Sequence, residues 1–280
     1  MIRMFAKLSE VEQIYNLEIR DSDVFVVTYP KSGTIWMQQI LLLIKAKGEV
    51  TAFTDPDTES NGDLIPWIEL NGGIEAFITA SSPRLRVSHL QPQLMPAALS
   101  QKKGKVIYVL RNPKDVLVSY YHFHKFAVFL ETPASFDVFF EKFITGDVNG
   151  SSWFEHIKTW YSQKDKMNIL FIRYEDMIHD LRSAVQRMSL FLGEELNEEQ
   201  IANVVKHSTF KSMQRNPQAS YERVPNLLLN QQQGKFMRKG TIGDWKHHFT
   251  VALNERFDQV FQKEMKDLPL SFIWDINDDA

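Results

Sequence analysis

Lys31, Ser32, Gly33 and Thr34 stand together in VFVVTYPKSGTIWMQQILLLI, where an apolar strand-like run passes through a glycine turn into an apolar helix. A turn of that kind leaves the first N–H groups of the helix unpaired and aimed at one point, which favours an anion. Lys31 adds a full positive charge, Gly33 permits close backbone approach, and the hydroxyls of Ser32 and Thr34 add donors, so PKSGT has the parts of a phosphate cradle. The order is not Walker A, in which lysine follows glycine; here Lys31 precedes Gly33 and no earlier glycine exists. Five residues alone fit a tight turn with a solvated lysine equally well.

A second basic turn repeats the plan. In VIYVLRNPKDVLVSYYHF a strand over 106–110 ends at Arg111, with Asn112 as N-cap and Pro113 as the first helical residue. Arg111 is then expected in the crevice beyond the carboxyl ends of the strands, where open sheets bind ligands. Ser119, two helical turns on, can face the same anion. A third segment, FMRKGTIGDW, sets Arg238 and Lys239 beside Gly240 and offers a guanidinium, an ammonium and an approachable backbone, a set suited to a phosphate dianion. Any one of these is usually a solvated surface charge. His89, in LRVSHLQP, follows a short β-rich run and stands shortly before a proline, which puts it near the carboxyl end of a strand on the same crevice side.

The elements that must position these groups follow from pattern. The β-branched and aromatic runs DVFVVTY, RLRVSH, KVIYVLR and MNILFIRYE alternate with helical stretches, which implies an α/β fold with a central parallel sheet covered by helices. The chain has 280 residues, 44% hydrophobic and 24% charged, and no repeat or low-complexity tract. TDPDTESNGD at 54–63 is turn-forming but short for a linker, so a single domain over 1–280 is expected. The irregular stretch 215–246 is far longer than an ordinary connection, and its part over 215–240 reads as a mobile lid. A formal net charge of −3 excludes a globally basic nucleic-acid binder while allowing a local anion pocket. Absence of cysteine excludes disulfides, thiolate zinc sites and thiol catalysis, and fits a reducing, cytoplasmic setting. Neither a signal peptide nor an apolar run of about 18 residues is visible, so no membrane span is expected. His247 and His248 are adjacent and share no helix face, and no metal is implied.

TYPKSGTIW, RNPKDVLVSYYHF and FMRKGTIGDW, in this order and spacing, resemble the signatures of cytosolic sulfotransferases, and the likeness runs over nearly the whole chain. It implies 3′-phosphoadenosine 5′-phosphosulfate (PAPS) as co-substrate, with adenosine 3′,5′-bisphosphate as product. By the resemblance, Lys31, Ser32, Gly33, Thr34, Ile35 and Trp36 fall on the 5′-phosphosulfate and adenine positions. Arg111, Ser119, Phe236, Met237, Arg238, Lys239 and Gly240 fall on the 3′-phosphate side. RYEDM brings Tyr174, and HSTFKSM brings Ser208, Thr209, Phe210 and Met213, to the nucleotide. His89 matches the family's general base, which would take the acceptor's proton as the nucleophile approaches sulfur, and Lys31 would steady the charge on the departing phosphate oxygen. In-line transfer through a loose transition state is expected by analogy with phosphoryl transfer, and no Mg²⁺ is called for.

Many cytosolic sulfotransferases read Lys-Thr-His-Leu where this chain reads Val87-Ser88-His89-Leu90. Val-Ser-His, together with WFEHIKTWY and SFIWDIN, resembles the amine sulfotransferase subgroup, which points to amines or hydroxysteroids, with phenols third, as small lipophilic acceptors. Phe123, Trp153, Phe154 and Leu228 are the candidate acceptor wall. KHHFTVALNE matches the family's dimer signature at Lys246, Thr250, Val251 and Glu255 and implies a homodimer. Two alternatives stand beside the enzyme: a non-catalytic nucleotide or lipophile binder, which the missing lysine at Val87 keeps open, and a P-loop small-molecule kinase, whose Gly-Lys-Ser/Thr order and Mg²⁺-binding Asp are not found.

Overall fold

The computed structural model describes residues 8–53, 58 and 60–278; half of the turn-forming stretch 54–63 lies outside them. Four strands form one sheet: β1 (Val24–Thr28), β2 (Leu85–Ser88), β3 (Lys105–Leu110) and β4 (Ile169–Arg173). They lie in the order β2-β1-β3-β4, and every pair is parallel, with Val24 opposite Leu85 and Lys105, and Val106 opposite Ile169. Each of the four runs singled out by composition is a strand, because β-branched and aromatic residues bounded by turn formers suit a sheet buried on both faces. From β1 the chain goes first to one side, to β2, and then to the other, to β3. This reversal opens the crevice at the carboxyl ends of β1 and β3.

The alternation of side chains along the strands divides the core in two. Val24 and Val26 of β1, Ile107 and Val109 of β3 and Ile172 of β4 face the helix Thr34–Lys45, which contributes Met37, Ile40, Leu41, Leu43 and Ile44. Phe25, Val27, Tyr108 and Leu110 face the opposite layer, where Phe139, Phe143, Trp153, Ile157 and Trp160 pack with Phe257 of the C-terminal helix Val251–Met265. Trp153 and Phe154 therefore leave the expected acceptor wall. They are 0% and 2% exposed and pack on Phe261, as the inward face of the helix Trp153–Tyr161 requires. Among the described residues no helix is long and apolar enough to cross a membrane.

Candidate active site

Three basic segments meet at the crevice. After β1, Lys31 takes a left-handed backbone (φ 68°) and Gly33 caps the helix Thr34–Lys45 at φ 108°, with no side chain bonded to its first amides. A Cβ at Gly33 would lie 2.9 Å from the Tyr174 ring, so only glycine lets the turn pass under that tyrosine. After β3, Asn112 caps the helix Pro113–His124 by accepting from Asp115 N at 2.9 Å, as the sequence predicts. Glu175 Oε1 accepts from Asn112 N at 2.8 Å and fixes the turn from below. Arg111 donates from Nη1 to the Lys31 carbonyl at 2.9 Å and lies 4.1 Å over the Tyr174 ring, which locks the first two turns together. The third segment is tied to the second, since Gly243 N and Trp245 N donate to Asp115 at 2.8 and 3.0 Å.

A cavity of about 760 Å³ runs along these turns. Lys31, Gly33, Thr34, Ile35, Trp36, Arg111, Ser119, Tyr174, Thr209, Phe210, Met213, Phe236, Met237, Arg238, Lys239 and Gly240 all line it, as do His89, Phe123 and Leu228. Ser32 and Ser208 lie just behind the wall, where Trp36 Nε1 donates to Ser208 O at 2.7 Å. Trp36 and Tyr174 meet edge to face at 5.2 Å. A Cβ at Gly240 would come within 2.1 Å of Phe210, so the third segment can lie against that ring only as glycine.

Charge here is concentrated and incompletely matched. Lys31 Nζ sits 3.6 Å over the Phe236 ring and 4.1 Å over Phe123. Burial, and then Arg111 and Arg238, lower its pKa well below the usual lysine range. Arg238 and Lys239 both pair with Asp244, Arg238 at 2.5 Å. Ser32 Oγ, Arg111 Nε and Ser208 Oγ are buried with no hydrogen-bond partner among the described residues. Buried orphans in a group are uncommon in native proteins and mark a place where a polar ligand supplies the missing partners.

At the other end, His89 follows β2 directly, as its position in the sequence suggests. Its Nδ1 lies 2.6 Å from the Thr28 carbonyl oxygen, an atom that only accepts, so Nδ1 carries the proton and Nε2 the lone pair of the neutral ring. Burial pushes the imidazole down to about 3, with Lys31 and His156 adding to the fall. The neutral ring is therefore the form present around pH 7. Trp67 packs on it at 4.5 Å, and the Thr28 hydroxyl bridges to Thr34 Oγ1 at 2.7 Å. Trp67, Tyr120, Phe129 and Val224 extend the apolar wall around Phe123 and Leu228. Trp67, Phe129 and Val224 lie outside the three basic signatures, and nothing in the local sequence marks Thr28, Tyr120 or Asp244 within them for these places; only the fold brings them here.

Segment 215–240 holds the short helix Pro217–Ser220 and then crosses the cavity mouth, where Leu229 pairs antiparallel with Ala127. Val128 N donates to Leu228 O at 3.0 Å, and Leu228 is half-exposed over the opening. Away from the cavity, Lys246 pairs with Asp275 and Thr250 caps the C-terminal helix at Leu253 N. Val251 and Glu255 are exposed on it.

A family model described as "Sulfotransferase domain" matches residues 21–269. The amine sulfotransferase of Oryctolagus cuniculus is 48% identical over 99% of this chain and 92% of its own length. Sulfotransferase 2B1 of Homo sapiens is 43% identical over 92% of this chain and 70% of its length. Mouse sulfotransferase SULT7A1, solved in complex with PAP, superposes with a TM-score of 0.79 at 29% identity, covering 95% of this chain and 92% of that one. Retinol dehydratase in a complex with retinol and PAP gives 0.81 at 26% identity over 95% and 87%.

Proposed function

Since this chain belongs to the sulfotransferase family, we propose that it transfers a sulfuryl group from PAPS to the hydroxyl or amine of a small lipophilic acceptor, with His89 as general base. The convergence of Lys31, Arg111 and Arg238, from three separate segments, on one cavity that His89 also faces carries this reading. The orphaned Ser32 Oγ, Arg111 Nε and Ser208 Oγ suit a ligand rich in phosphate and ribose oxygens. Both solved relatives hold PAP, the PAPS product adenosine 3′,5′-bisphosphate, the second together with retinol. Lys31, Ser32 and Thr34 would hold the 5′ end, Trp36 and Tyr174 the adenine, and Arg111, Ser119, Arg238 and Lys239 the 3′-phosphate.

The acceptor's O–H or N–H gives its proton to Nε2 of His89 as the acceptor atom bonds to sulfur. The sulfur–oxygen bond to the 5′-phosphate breaks, and its electron pair stays on the phosphate oxygen beside Lys31. An anion at the cradle opposes the cations that depress Lys31, so its ammonium is retained when it is needed. The same anion raises the proton affinity of His89, on which Lys31 now weighs.

Of the described residues lining the cavity, Asp244 is the one carboxylate, and Arg238 and Lys239 hold it. A charged alkyl ammonium thus finds no partner in the apolar half, which favours weakly basic aryl amines and hydroxysteroids. We read residues 1–280 as a single domain, with 215–240 as a lid that donor binding orders through Arg238 and Lys239. Hydrogen exchange over 220–235 that is unchanged by adenosine 3′,5′-bisphosphate would exclude the lid. Segment 246–255 is proposed as a homodimer contact.

A screen with labelled PAPS against aryl amines, hydroxysteroids, phenols and alkyl amines tests the central reading. Label on an aryl amine or hydroxysteroid is expected. Nucleotide binding without transfer to any class would leave a non-catalytic binder.

A further inference from the structure

We propose that Glu69 and His156 are positioning residues for sulfuryl transfer, gripping the peptide groups on either side of His89 and so fixing where its Nε2 meets the acceptor. The proposal rests on the reading of His89 as base. Residues 66–68 run along the outer edge of β2, where Val87 N donates to Pro66 O at 3.1 Å and Ile68 N to Val87 O at 3.2 Å. That alignment delivers Glu69, only 2% exposed, to His89, whose backbone N donates to Glu69 Oε1 at 2.6 Å. From the opposite side the helix Trp153–Tyr161 brings His156, fully buried, with Nε2 3.1 Å from His89 O.

The tautomer of His156 follows from its partners. A carbonyl only accepts, so Nε2–H donates to His89 O and Nδ1 is left to accept from the Tyr108 hydroxyl at 2.7 Å. Tyr108 belongs to β3, so the grip is anchored in the sheet. His89 is thus held at its N–H by Glu69, at its C=O by His156 and at Nδ1 by Thr28, three groups from three parts of the chain. A residue that merely filled the core beside β2 would be apolar there, since a buried carboxyl and imidazole both lose hydration. Burial raises the Glu69 carboxyl to about 7 and lowers the His156 imidazole to about 4. The grip is therefore one of hydrogen-bond geometry, available whether or not Glu69 is ionised.

Turnover at saturating PAPS and acceptor, with adenosine 3′,5′-bisphosphate affinity as the check on folding, tests this. Glu69→Leu, which removes the acceptor oxygen, should lose about tenfold or more in kcat, the scale on which a misplaced catalytic group costs rate. Glu69→Gln keeps an oxygen in place and should stay within about threefold of the parent. In a His89→Ala background Glu69→Leu should change the residual rate by less than about twofold, because residues acting as one unit are not additive. Parental kcat in Glu69→Leu, or losses that multiply in the double variant, would overturn the proposal; parental kcat in His89→Ala would instead overturn the base. Should Glu69→Leu not bind the nucleotide, Tyr108→Phe carries the same test. It removes only the hydroxyl that sets the His156 tautomer, and a loss of about threefold should appear in the parent and vanish beside His89→Ala. An equal loss in both backgrounds would sink the idea.

Discussion

At the proposed phosphate end of the cavity the candidate binding groups come in short runs of neighbouring residues, Lys31 to Thr34 after β1, Arg111 after β3, and Arg238 to Gly240 in the third segment. Among the described residues, Ser32 Oγ and Arg111 Nε find no hydrogen-bond partner. At the acceptor end the reverse holds. His89 is surrounded by groups from distant segments, and its backbone and Nδ1 are already bonded. One end keeps free capacity for a charged ligand to complete, whereas the other is completed by the protein so that one nitrogen is presented in one place. On the proposed reading, the first plan would yield affinity and the second orientation.

If the contrast is real, damage to the two ends should show in different measurements. His89→Ala should lose roughly 10² to 10⁴-fold in kcat, the range of a general base, while adenosine 3′,5′-bisphosphate affinity stays as in the parent. A comparable fall in nucleotide affinity would erase the distinction. Arg111→Ala or Arg238→Ala should cost about 1.5 to 3 kcal/mol in binding the bisphosphate, the value of a charge-assisted hydrogen bond, and much less in binding AMP. Calorimetry giving equal losses for both nucleotides would remove the 3′-phosphate from these residues.

Glu69→Gln sharpens the contrast through pH. Burial raises the folded-state Glu69 carboxyl from 4.5 to about 7, so the folded protein binds the extra proton across that window, and stability is lost as pH rises through it. The glutamine variant lacks this loss, and any fixed offset from its amide does not depend on pH. Its stability relative to the parent should therefore grow between pH 4.5 and 7 and level off above, by roughly 1–2 kcal/mol after allowance for relaxation. Thermal melts with a constant difference across that range would contradict the buried carboxyl. Smallest at either end should be Val251→Asp, on an exposed face outside the cavity lining: kcat and nucleotide affinity should be unchanged while sedimentation shifts from dimer to monomer. Monomer in both proteins would rule out the 246–255 contact.

Much of the sheet and the phosphate end could be read directly from the sequence, because each depends on short-range order. A β-branched run bounded by turn residues makes a strand, and a cation, a hydroxyl and a glycine at the next turn make a cradle. The expectation that Trp153 and Phe154 line the acceptor wall fails for a related reason: residue type predicts burial but not which side of a helix meets the core. The grip on His89 had no local signal, since Glu69 lies 20 residues away and His156 67. Nor does Asp115 announce that it will catch amides 128 and 130 residues later. Such partners are fixed by strand order and helix docking, which a linear pattern does not encode.

Thr28 is the last residue of β1, and its carbonyl holds the His89 ring only three residues before Lys31. On the proposed reading, the base and the leaving-group cation thus share one reference point, the His89 ring through a hydrogen bond to Thr28 and Lys31 through the short run of chain that follows it. On that reading, a change in the shape of the apolar wall around Phe123 and Leu228 would leave the shared reference at Thr28 in place. Breadth of acceptor and constancy of chemistry would then be compatible, because they are written on different parts of the chain.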